Sequence, residues 1–107
     1  MRMRVLVVPL LVAAAALLAA CGQPNPVEGA AREAMQADGL AGAAITDVVE
    51  GDPAVRGADE LYCVATDATT QNGELPYLLV VWRTGQQWQA QPLLEGYYEW
   101  DLQGCPR

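Results

Sequence analysis

Apolar positions fall into two regimes along the chain. Residues 5–20 form an unbroken apolar run behind the cationic head Met1-Arg2-Met3-Arg4. Beyond it, apolar and polar residues interleave, and the period of the interleaving changes once. Val27, Ala30, Ala31, Ala34 and Met35 recur at three- and four-residue spacing, which predicts a helix over Pro26–Ala37. Asn25 is placed to cap it, Pro26 suits its first turn, and Glu28 favours the positive end of its dipole. Gly39 followed by Leu40 reads as a left-handed C-terminal cap with its hydrophobic contact.

From residue 44 the period shortens to two, and strands are expected at 44–50, 61–66, 77–84 and 87–91. Segment 77–84 is apolar on both faces, which makes it the central strand and predicts that Trp82 is deeply buried. In 87–91 glutamines occupy one face while Trp88 and Ala90 occupy the other. Pro92 fits an edge strand or a strand end. The alternation of Tyr98, Trp100 and Leu102 with Glu99, Asp101 and Gln103 predicts a fifth strand, with a short helix over 93–98 as the competing reading. The expected fold class is α+β: one N-terminal helix packed on an antiparallel meander of four or five strands.

The first twenty residues stand apart. A helix needs about twenty apolar residues to cross a bilayer core, so the run at 5–20 is short for a permanent span. A positive head, an apolar middle and small residues at the end describe a secretory signal. Leu18-Ala19-Ala20-Cys21 resembles the lipobox of bacterial lipoprotein precursors: an aliphatic residue, two small residues, then cysteine. The resemblance implies removal of residues 1–20 and attachment of lipid to Cys21, which would hold the chain on a membrane. More than one acyl chain is needed for stable anchoring. Residues 21–25 would then be the lipidated cysteine and a short tether, and 26–107 a single small domain. Gly22 stands where the enteric sorting rule places the inner-membrane signal Asp, so outer-membrane delivery is permitted. Residues 22–107 carry no comparable signature.

With Cys21 assigned to lipid, Cys63 and Cys105 remain as an even pair in an exported chain. A disulfide between them is expected. Closely spaced cysteines are absent and the chain has no histidine, so neither a metal site nor a cofactor is expected.

Charge narrows the partners. The formal net charge is −7, there is no lysine, and the cations after Cys21 are Arg32, Arg56, Arg83 and Arg107. An acidic chain without a basic stripe is a poor match for nucleic acid. Lacking histidine and lysine, it has no Ser-His-Asp or Cys-His arrangement and no Schiff-base amine, and no catalytic residue is assigned. Glu95, Glu99 and Asp101 are the densest carboxylates, and the solvated face of the last strand is the simpler account of them. All seven aromatic residues lie in the second half; among them Trp88, Tyr97 and Trp100 are the candidate recognition surface. The expectation is a non-catalytic, membrane-anchored envelope lipoprotein that binds an envelope protein or small ligand. A membrane-proximal enzyme inhibitor or carboxylate hydrolase is the alternative.

Overall fold

The computed structural model describes residues 25–70 and 73–107. The expected signal segment, the lipobox, Cys21 and residues 22–24 of the tether lie outside the described residues. The first described element is helix α1, Pro26–Ala37. The Asn25 side chain accepts a hydrogen bond from the Val27 N–H at 2.9 Å, so the expected cap forms. Val27, Ala31 and Met35, one every four residues, make its buried stripe. At the other end Gly39 takes φ 75°. The Leu40 N–H then reaches back to the Met35 carbonyl and the Gly39 N–H to that of Gln36, at 2.8 and 3.1 Å. These two bonds are the Schellman arrangement, which glycine permits because it lacks a Cβ.

Four strands follow: β1 (Ile45–Glu50), β2 (Glu60–Thr69), β3 (Pro76–Thr84) and β4 (Gln87–Leu93). They pair in sequence order β1-β2-β3-β4, each antiparallel to the next. A turn of 3-10 helix, Pro53–Arg56, joins β1 to β2. Asp52 caps it, accepting from the Ala54 N–H at 3.0 Å.

The expected fifth strand is instead a helix, α2, Tyr97–Leu102. The Trp100 N–H donates to the Gly96 carbonyl, and the Gln103 N–H to that of Glu99. In a run this short, alternation and a helical face cannot be told apart by pattern. Trp100 decides it. Coiling the segment buries Trp100 with 3% exposure and leaves Tyr98 and Leu102 outside at 65% and 55%. A strand would have placed all three on one face.

The sheet is covered on both sides. On one, Val27, Ala31 and Met35 of α1 pack on Val64, Tyr77, Leu79 and Val81. On the other, Trp100 and Cys105 pack on Leu61, Cys63, Leu78, Val80 and Leu93. The central strand is therefore buried on both faces from Tyr77 to Val81, as its sequence implies. Burial stops at Val81. Trp82, expected deep inside, is only partly buried: it packs at the margin of this second cluster and is roofed by the Arg56 guanidinium, 4.3 Å from its ring centre.

Cys63 and Cys105 form a disulfide with a Cα–Cα distance of 6.2 Å. It ties β2 to the segment after α2, across 42 positions of sequence. In the chain-entropy model a closed loop of that size contributes about 4 kcal/mol.

Candidate functional site

A cleft of about 540 Å³ opens at the C-terminal end of α1. Its walls come from three segments. The α1 end gives Asp38 and Leu40, the β2–β3 connection gives Thr70, Glu74 and Leu75, and the end of β4 gives Pro92 and Leu94. Tyr77 stands between them at the start of β3. The Schellman turn is what brings Asp38 here, since it stops α1 directly over the first residues of β3.

The Tyr77 hydroxyl donates to Asp38 Oδ2 at 2.6 Å, joining helix and strand across 39 positions. Burial, and then the hydrogen bond to Asp38, push the Tyr77 phenol well above its ordinary range, so it stays protonated. Thr66 fixes the same strand end by donating from Oγ1 to the Tyr77 carbonyl at 2.7 Å. The cleft thus holds apolar walls, two carboxylates and several hydroxyls, with no cation in its lining. Such a surface accepts an apolar group carrying hydrogen-bond donors or positive charge, and it disfavours anions. Leu94, 75% exposed, and Leu75, 38% exposed, form its lip.

A second polar cluster sits at the opposite end of β3. Arg83 Nε donates to Glu60 Oε2 at 2.7 Å, and the Tyr62 hydroxyl donates to Glu60 Oε1 at 2.8 Å. Asp59 accepts from the Gly85 N–H at 2.8 Å and pairs with Arg83 at 3.5 Å. The hydrogen bonds from Arg83 and Tyr62 hold the Glu60 carboxyl below its ordinary range, and the same carboxylate pushes the Tyr62 phenol up. Each charge here already has its partner. The cluster fastens the β3–β4 hairpin to the start of β2 and leaves no group free for chemistry.

The three aromatic residues expected to form one recognition surface are not brought together. Trp88 is half-buried on the α1 side of the sheet, 6.3 Å from the Tyr62 ring and beneath the Arg83 guanidinium. Trp100 is core on the opposite side, its indole N–H donating to the Pro106 carbonyl at 3.0 Å. Tyr97 packs edge-on against it at 5.6 Å and stays 40% exposed. The carboxylates near them serve local bonds: Glu99 accepts from the Glu95 N–H, and Asp101 pairs with Arg107 at 2.7 Å. Among the described residues no group of His, Cys, Asp or Glu is arranged to hold a metal ion.

Sequence reasoning did not single out Asp38, Tyr77, Leu75 or Leu94. No local pattern marks them, because the cleft exists only where a helix end, a loop and two strand ends meet. No protein-family model matches this chain, and no curated protein or solved structure matches it either.

Proposed function

We propose that this chain is an exported bacterial lipoprotein, carried on a membrane by lipid on Cys21, whose α+β domain is a non-catalytic binding module. The lipobox Leu18-Ala19-Ala20-Cys21 supports the anchor, and the periplasmic or extracellular face is the side on which it would act. Gly22 leaves outer-membrane delivery open. The observation that carries the binding role is the cleft at Asp38 and Tyr77: an apolar-walled recess without cations, lipped by exposed leucines. Its ligand is a peptide or small molecule with an apolar body and a donor or cationic group. The inhibitor and hydrolase alternatives gain nothing from Glu99 and Asp101, whose carboxylates serve the Glu95 N–H and Arg107, or from Glu95, which does not line the cleft.

The test has two arms. Labelled palmitate is expected in the wild type and absent from Cys21→Ala; equal labelling of both sinks the anchor. Capture of partners from envelope extracts is expected to be lost in Leu94→Asp, with an unchanged melting temperature because that side chain is exposed. The binding reading fails when wild type and Leu94→Asp capture the same partners equally.

A further inference from the structure

The outer edge of β4 and the flank of α1 above it share a property rare in this acidic chain: neither carries a charge. β4 reads Gln87-Trp88-Gln89-Ala90-Gln91-Pro92-Leu93, and its pairing with β3 runs through without a register shift. Thr84 and Gln87 pair across the two-residue turn Gly85-Gln86. In a hairpin of that kind the flanking pair exchanges its backbone bonds, so Gln87, Gln89 and Gln91 turn their backbone groups inward. Trp88, Ala90 and Pro92 therefore turn theirs outward, towards an edge that no strand occupies among the described residues. Proteins usually blunt such an edge with charges or a bulge. β1, the other outer strand, has both: Asp47, Glu50 and a shift in register after Ile45. β4 has only Pro92.

Helix α1 lies over β4 and β3. Arg32 Nη1 donates to the Ala43 carbonyl at 2.6 Å, next to β1, which fixes how the helix is turned about its axis. At 100° per residue, Glu28, Arg32 and Gln36 share that flank, while Ala30, Ala34 and Ala37 form the other. The alanine flank consequently overhangs the open edge of β4. Strand edge and helix flank form one continuous strip with no charged residue of their own; the Arg56 guanidinium reaches it from outside, 3.5 Å from Gln91 Oε1.

We propose that two copies of this chain pair antiparallel along β4, extending the sheet to eight strands, with their alanine flanks meeting above the seam. A second copy is the occupant that fits, because the strip is complementary to itself. Glutamine amides both donate and accept, so an exposed row of them pairs with its own two-fold image. An acidic chain approaches itself with least repulsion along a strip that bears no carboxylate. The geometry of the second layer agrees: strands lie about 4.8 Å apart, so helices centred between β3 and β4 of each copy sit roughly 10 Å apart, within helix-packing distance when alanines face. Both helices fall on the same side of the joined sheet, so both N-termini leave from one face. The proposal stands independently of the lipid anchor.

The test is the mass of the full chain, as its host makes it, kept in mild detergent and measured by native mass spectrometry. The wild type is expected as a dimer. Gln87→Glu with Gln89→Glu places like charges along the seam on exposed side chains, and is expected to weaken the dimer about tenfold or more without lowering the melting temperature. Gln87→Lys with Gln89→Lys behaves likewise alone, while an equal mixture of the two forms restores a mixed dimer. A monomeric wild type, an undisturbed acidic variant or a mixture that fails to combine overturns the proposal. A wild type that stays single yet takes up an extended peptide along β4 overturns the second copy in favour of a foreign strand.

Discussion

At Gly51, where β1 leaves the sheet, the backbone passes between the disulfide and the chain end. A Cβ built there would stand 2.6 Å from Cys105 Sγ, 2.5 Å from Leu61 Cδ2 and 2.7 Å from the Gln103 carbonyl oxygen. Two of those three neighbours cannot step aside, being a bridged sulfur and a backbone oxygen. The neighbouring Asp52 N–H donates to that same Gln103 carbonyl at 2.9 Å, so widening the gap also breaks a hydrogen bond. Gly51→Ala is expected to cost about 1–3 kcal/mol through overpacking. At Gly42 nothing lies within 4 Å of the added carbon, so Gly42→Ala serves as the control and should leave the thermal midpoint nearly unchanged. Equal midpoints for the two variants would contradict this account. Sequence does not reveal the crowding at Gly51, since its two unyielding neighbours, Gln103 and Cys105, lie more than fifty positions later. The tryptophans teach the same lesson. Trp82 sits in a fully apolar run and is only partly buried, while Trp100 sits among acids and is core. A residue's neighbours in the chain describe its strand, and what packs over it decides its depth.

Among elements, those whose signals are local were legible. Asn25, Pro26, Gly39 and Leu40 specify both ends of α1 within a few residues of each end, and the helix has those ends. The two-sided β3 was equally plain. The segment 97–102 was not, because its fate depends on which face of the sheet still needs covering. Nor was the pin between α1 and β3 legible, since Tyr77 and Asp38 are distant in sequence. That pin has a consequence in alkali. The folded phenol of Tyr77 ionises above its ordinary value of 10, so the folded state keeps a proton that the unfolded chain releases near that pH. The stability from this contact is fully present below about pH 10 and is lost as pH rises further towards the folded value. Tyr62, raised by Glu60, adds a smaller effect of the same sign. Denaturant midpoints measured between pH 8 and 11 should fall at the alkaline end for the wild type, and less steeply for Tyr77→Phe. Parallel slopes would show that the hydroxyl contributes nothing specific to the fold.

For the whole molecule, the two faces of the sheet are secured by different means. The α1 face is held by side-chain burial along a helix with both ends capped. The α2 face is covered by six residues of helix and a short tail, and its attachments are few. They are Trp100 in its pocket, the Asp52–Gln103 bond, the Arg56 Nε–H donating to Gln103 Oε1 at 3.0 Å, and the disulfide. Six residues cannot hold a helix by propensity alone, so this layer depends on its covalent tie. Reducing the Cys63–Cys105 bond should therefore act unevenly. Intact mass of the denatured chain is expected to rise by two hydrogens. In the native protein, amides of α2 and of the turn at Pro53–Arg56 should lose protection from exchange first, while those of β3, covered by α1, persist longer. The Trp100 indole would meet water and its emission shift to the red. The whole cost is about 4 kcal/mol, a large part of what a domain of this size holds. Were β3 and α2 to lose protection together at the lowest reductant that breaks the bond, the two faces would be one cooperative unit. The disulfide would then stabilise the sheet itself, rather than the layer that covers its second side.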